Sequence, residues 1–176
     1  AGSLEQEGKS SAMKSLVAMF ALALTASVPG EVREVSEEVA APPGVVWQAL
    51  TSRQEVVQWQ VALADLRLEP GAIWRTRYKA DGVLGDEATI ENRLLTYDPE
   101  RMYSLRIEKP PKGFPFINTY REMWTVVYLE ELKPGLTRVT VRSLGLPNSE
   151  EGQKMGDFFE KGNRYTLQQL KLYLAR

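Results

Sequence analysis

The sequence predicts an α+β domain in which an antiparallel sheet grips one long C-terminal helix. Three observations lead there. Six runs with strand-like alternation follow one another between Val61 and Leu144, joined by links of hairpin length, which favours antiparallel pairing. The chain then closes on a helical periodicity, with Phe159, Asn163, Leu167, Leu170 and Leu174 recurring every three or four residues. One member of that stripe, Asn163, is polar, so the sheet is expected to meet the helix around a cavity rather than through continuous apolar contact.

Composition narrows the function. The chain has 176 residues, enough for one domain with a real core, and its 43% hydrophobic and 26% charged content is that of a globular protein. A net charge of −1 provides no basic field for a phosphate backbone, so nucleic acid is not an expected partner. Cysteine and histidine are both absent. That removes disulfides, thiolate nucleophiles, zinc–thiolate sites, histidine general bases and Ser-His-Asp triads. No metal and no cofactor is expected, and the chain leans away from being an enzyme.

In order, Ala1 to Ala12 is small and polar and reads as an expression-tag remnant, with Met13 as the natural start. Lys14 and the eleven mostly apolar residues Leu16–Ala26, followed by Ser27-Val28-Pro29-Gly30, have the layout of a secretory signal peptide. The run is too short for a spanning helix, so no stable membrane span is expected in the mature chain. If cleaved, this segment places the domain (31–176) outside the cytoplasm; if retained, it is a helix of the fold whose apolar residues need cover.

The body opens with a strand from Glu31, stopped by Pro42-Pro43. Proline suits a first helical turn, and Val46, Trp47 and Leu50 share one face of a short helix. Thr51 or Ser52 caps a second one, Arg53 to Gln58. The six strands follow: Val61–Leu68; Ile73–Lys79, with Trp74, Thr76 and Tyr78 opposite Arg75, Arg77 and Lys79; Ala88–Leu94; Tyr103–Ile107; Ile117–Glu131; and Thr137–Leu144. Between the second and third, Asp81, Asp86 and Glu87 sit in a glycine-rich loop whose spacing fits no EF-hand and reads as a turn. Lys109–Pro115 cannot be strand, having three prolines and a glycine. Asn148 or Ser149, with Glu150 and Glu151, starts the long helix.

Several local patterns together resemble one family. They are Ala41-Pro42-Pro43 with Val46-Trp47-Gln48-Ala49-Leu50-Thr51; Val57-Gln58-Trp59; Asp65-Leu66-Arg67 with Pro70-Gly71; Tyr97-Asp98-Pro99-Glu100-Arg101; Thr137-Arg138-Val139-Thr140-Val141; and Gly162 with Leu167, Leu170, Lys171, Tyr173 and Leu174. In order and spacing these are similar to the START/Bet v 1-like helix-grip superfamily, in the branch related to the C-terminal domain of the Hsp90 ATPase activator. The resemblance covers Glu31 to Arg176. It implies a curved sheet wrapped around the C-terminal helix and a cavity that takes lipids, polyketides or other hydrophobic molecules, with a few members acting as cyclases or hydrolases. The branch often carries His where Ser143 stands and Trp where Asn163 stands. Smaller groups there either widen the cavity or are compensated by neighbours.

Strand alternation and the helical stripe give the expected wall: Trp74, Tyr78, Ile90, Asn92, Tyr103, Leu105, Met123, Thr125, Ser143, Phe159, Asn163 and Leu167. Phe114, on the proline-stiffened loop, is expected at the mouth. The expected ligand is a small hydrophobic molecule; a polyketide-cyclase or hydrolase reaction in the same cavity, or a co-chaperone-like interaction domain, are the alternatives. If Met123, Thr125, Val127 and Leu129 face the helix, Trp124, Val126 and Tyr128 face outward. An apolar outer face needs cover, either from a second copy in a homodimer or from the leader helix.

Overall fold

The computed structural model describes residues 30–176. The expectations for the tag-like and signal-like leader fall on residues 1–29, outside the described residues. Seven strands, β1 (Glu31–Val39), β2 (Leu63–Asp65), β3 (Ile73–Arg77), β4 (Ile90–Asp98), β5 (Met102–Lys109), β6 (Trp124–Lys133) and β7 (Leu136–Leu146), form one antiparallel sheet in the order β1-β7-β6-β5-β4-β3-β2. Strands β1 and β2 are thus at opposite edges. Helices α1 (Pro43–Thr51) and α2 (Arg53–Trp59) carry the chain across between them, and α3 (Glu150–Leu174) packs chiefly on β1 and β7. The predicted α+β architecture is the observed one, and among the described residues no helix is long and apolar enough to cross a membrane.

Each element follows from its residues. Strand β1 alternates, with Val35 and Val39 buried and Glu34, Ser36 and Glu38 exposed. Pro43 occupies the first turn of α1, where a missing N–H costs nothing. Ser149 caps α3, accepting from the Gly152 N–H at 3.0 Å, while Glu150 and Glu151 meet the positive end of the helix dipole. Met155, Leu167 and Leu170 are its most buried large side chains. The register of β4 against β5 shifts between Glu91 and Asn92 and between Leu94 and Thr96, irregularities of the kind that bend a strand.

Two expected strands differ. Val61–Leu68 contains a ladder only over Leu63–Asp65. The carbonyls beyond it are taken by side chains: Trp74 Nε1 donates to Arg67 O at 2.7 Å and the Tyr97 hydroxyl to Leu68 O at 2.9 Å. The first half of Ile117–Glu131 is not strand either. Phe116, Thr119, Tyr120 and Met123 are buried at helical spacing around a 3₁₀ turn at Tyr120–Glu122, and Ile117 is exposed. The period there is near three, not two.

The larger core lies between α1, α3 and the sheet and includes Val39, Val46, Trp47, Leu94, Val139 and Leu170. A second cluster, Phe116, Tyr120, Met123, Leu146 and Met155, closes the end of the sheet near the start of α3. The outer face carries cross-strand ion pairs, Arg138 with Glu38 (3.2 Å) and Glu130 (3.1 Å), Arg142 with Glu34 (3.0 Å) and Arg93 with Glu108 (3.0 Å). In β6, Val126 pairs with Ser104 and Arg142, so Trp124, Val126 and Tyr128 do point away from α3; Tyr128 is exposed, Trp124 half-buried and Val126 buried.

Candidate functional site

A cavity of about 280 Å³ lies between the sheet and the middle of α3. This is near the lower end of the range for small-molecule sites, roughly 300–1,000 Å³. The sheet contributes Tyr103 and Leu105 from β5, Thr125 and Val127 from β6, and Val141 from β7. Helix α3 contributes Phe158, Phe159, Gly162, Asn163, Thr166 and Leu167, while Leu50 of α1, Gln60 after α2 and Tyr78 after β3 complete the wall. The cavity continues into a surface hollow of about 340 Å³ that shares Gln60, Tyr78, Gly162 and Thr166 and adds Trp59, Tyr165 and Gln169. Its mouth therefore lies between Tyr78 and the outer turn of α3. Tyr78, Tyr165 and Phe158 stand exposed there.

Seven of the thirteen residues named from the sequence line this cavity: Tyr78, Tyr103, Leu105, Thr125, Phe159, Asn163 and Leu167. The other six are elsewhere. Trp74 is buried behind Tyr103, with ring centroids 5.4 Å apart. Ile90 and Asn92 pair with Thr76 and Trp74 toward the β3 side of the sheet. Met123 belongs to the second core cluster. Ser143 is fully buried and accepts a long bond, 3.5 Å, from the Asn163 amide nitrogen. Phe114 is not at the mouth. It packs edge-on to Phe116, Tyr120 and Phe158, at 5.6, 6.2 and 5.9 Å, away from the rim formed by Tyr78 and Tyr165.

Leu50, Gln60, Val127, Val141, Phe158, Gly162 and Thr166 also line the cavity and are not among the wall residues expected from the sequence. For Val127 and Val141 the signal was in the alternation, since each sits two residues from a named position. For Gly162 and Thr166 it was one helical turn around Asn163. Gln60 and Leu50 come from a connection whose path across the sheet has no local signal.

Tyr103 is 7% exposed, wedged between Trp74 and Trp47, whose ring centroid is 6.1 Å away. Burial pushes its phenol pKa well above the ordinary value, so it is protonated at neutral pH. Beside the mouth, Arg77 is buried at the end of β3, although the strand period placed it on the solvent side. Its guanidinium holds Asp81, the Lys79 carbonyl and Asp86, with Nε 3.0 Å from Asp86 Oδ2. Asp86 also accepts from the Ala88 N–H and the Thr89 hydroxyl, at 3.0 and 3.2 Å. What read as a plain turn is a loop built around one arginine, and it carries Tyr78. At the far end of α3 the Tyr173 hydroxyl donates to Glu55 at 2.6 Å while its ring stacks on Trp59, tying α3 to α2.

No curated protein matches the chain. Among solved structures it is similar to protein MLL2253 from Mesorhizobium loti, at a TM-score of 0.63 and 17% identity over 83% of this chain and 98% of that one. It is similar to the Aha1 dimer from Colwellia psychrerythraea, at 0.62 and 13% over 82% and 96%. It is also similar to PFC0360w, an HSP90 activator from Plasmodium falciparum, at 0.51 and 17% over 68% and 76%. At these identities the likenesses establish the fold. Residues 40–175 match the family described as Activator of Hsp90 ATPase homolog 1-like protein, and the chain belongs to that family.

Proposed function

We propose that the domain binds a small hydrophobic molecule in the cavity between the sheet and α3. The observation that carries this reading is the cavity's make-up: apolar and aromatic walls with a few uncharged polar groups, reaching the surface at an aromatic rim. A reaction in the same space would have to run on phenols, hydroxyls and amides, because the lining, among the described residues, includes no carboxylate, lysine or arginine. Binding is therefore preferred over a cyclase or hydrolase activity. The neutral fluorophore N-phenyl-1-naphthylamine tests it. It should bind one per domain, and Val141→Trp, which fills the cavity, should abolish binding while the protein still melts cooperatively. A wild-type protein that takes up no such probe, and carries no small molecule by native mass spectrometry from its own host, overturns the reading.

The family description favours a second reading, a chaperone-binding domain. Stimulation of an Hsp90-type ATPase by the purified protein would support it. As a partner for itself, a second copy fits the outward Trp124, Val126 and Tyr128 face, and the Colwellia relative is a dimer. Tyr128→Lys, at the exposed member of that face, should then turn a sedimenting dimer into a monomer. The leader is read as a signal for export: if it is cleaved the binding site lies outside the cytoplasm, and otherwise in it.

A further inference from the structure

We infer that the cavity selects uncharged molecules that present a hydrogen-bond acceptor to the Tyr103 hydroxyl, and that it rejects carboxylates of the same shape. This rests on the proposal that the cavity is a binding site and names the chemistry of what it takes.

Two independent observations carry it. The first is the absence, among the described residues, of a compensating cation in the wall. None of the lining side chains is charged. The guanidinium of Arg77, the residue before the lining Tyr78, is committed to Asp81 and Asp86. On α3, Arg164 is paired to Glu160 at 3.1 Å on the exposed side. A carboxylate drawn into this space would lose its water and gain no partner.

The second is an unpartnered donor. Among the described residues nothing accepts from the Tyr103 hydroxyl, although the residue is 7% exposed and lines the cavity. Its ring cannot turn away, because Trp47 and Trp74 flank it. A phenol held protonated by burial donates one hydrogen bond and offers nothing to an anion beyond that. At the other side of the cavity the Asn163 nitrogen is directed to Ser143, which leaves the amide oxygen as its free end. That oxygen is an acceptor and disfavours an anion further. A donor whose ring is already fixed in place rewards an acceptor without an ordering cost.

Three naphthalenes of nearly equal shape separate the terms: 2-acetylnaphthalene, a neutral ketone; 2-isopropenylnaphthalene, which lacks the acceptor; and 2-naphthoate, a carboxylate. Each competes with N-phenyl-1-naphthylamine on the full chain at pH 7. The ketone should bind about 3–10-fold tighter than the hydrocarbon, the worth of one hydrogen bond. Naphthoate should bind at least ~100-fold weaker than the ketone, the scale of a buried charge without a partner. Tyr103→Phe should remove the ketone's advantage over the hydrocarbon; the ratio of the two is the readout, and a melting curve reports the fold separately. Naphthoate binding as well as the ketone, or a ketone preference that survives Tyr103→Phe, overturns this inference and leaves the binding reading standing. If the fluorophore itself does not bind, the binding reading falls and this one with it.

Discussion

Three glycines of α3 should respond in three different ways to the same substitution, and the differences test how the helix sits on the sheet. Gly→Ala in a helix interior is worth about 1 kcal/mol in favour of Ala when nothing else changes. At Gly162 a methyl group would meet no atom within 4 Å, so Gly162→Ala should stabilise by about 1 kcal/mol, near 2–4 °C in Tm for a domain of this size. The same methyl projects at the mouth and should slow entry of N-phenyl-1-naphthylamine. At Gly156 the methyl would lie 3.1 Å from Leu146 Cδ1 and 3.3 Å from Arg33 Cγ. Both atoms belong to side chains that can shift, so the helix gain and the crowding should nearly cancel. At Gly152 the methyl would fall on the Pro147 carbonyl oxygen, which is backbone and cannot yield cheaply. The turn would have to move, loosening the Ser149 cap as well. A cap worth about 1 kcal/mol plus about 1–3 kcal/mol of overpacking gives a loss of about 2–4 kcal/mol. Urea denaturation of the three variants, with stopped-flow uptake for Gly162→Ala, reads all of this. Equal shifts at the three positions would mean that only helix propensity is at work, and the close approach of α3 to the end of β7 would be refuted.

Asn163→Leu trades a 3.5 Å bond to Ser143 for apolar surface in the cavity, so it should leave stability within about 1 kcal/mol of wild type while weakening uptake of the fluorophore; clear destabilisation with uptake intact would make Asn163 a structural tie. The loop around Arg77 should be acid-sensitive. The Arg77 hydrogen bond holds Asp81 below the usual carboxylate range, and for Asp86 burial is outweighed by the bonds from Ala88 and Thr89 and by the Arg77 charge. Depressed carboxylates stabilise above their unfolded pKa, about 4, and the benefit is lost as pH falls through the lower folded values. The urea midpoint should therefore drop on acidification below about pH 4, and less steeply in Asp86→Asn. Expressed from Met13 in a bacterial host, the chain should be exported and cut near Ala26 or Ser27; full-length protein confined to the cytoplasm would overturn the export reading.

The parts of this fold legible in the sequence are those where one rule acts alone. The alternation of β1 and β7, the proline start of α1 and the Ser149 cap of α3 each follow from local chemistry, and each is observed. The misread segments are those where a second force competes. Leu66–Leu68 has strand composition, but its carbonyls are claimed by Trp74 and Tyr97, residues close only in the folded chain. Ile117–Met123 is rich in strand formers, yet burying Phe116, Tyr120 and Met123 in one cluster requires a helical turn. Arg77 reads as solvent-facing because no window of sequence reveals that a loop nine residues on returns Asp86 to it. Phe114 was placed at a mouth because prolines stiffen its loop, but proline fixes a backbone and does not say which way a ring packs.

The cavity itself arises from how α3 is fixed at its two ends. At the start, Gly152 lets the helix approach the Pro147 carbonyl more closely than any side chain would permit, and Gly156 sits tightly against Leu146 and Arg33. At the finish, Tyr173 holds Glu55 and stacks on Trp59. Between these anchors the helix presents Gly162, Asn163 and Thr166, and the sheet opposite presents Thr125, Val127 and Val141. None of these is large enough to span the gap that the anchors set. Collapse would require giving up the close approach at one end or the stacked tie at the other, so the space is a consequence of stable packing around it. The same reasoning explains why Ser143, expected in the cavity wall, does not line it: Asn163 bonds to it, and the two polar residues together occupy a position where the sequence leaves both a wider cavity and compensation by neighbours open.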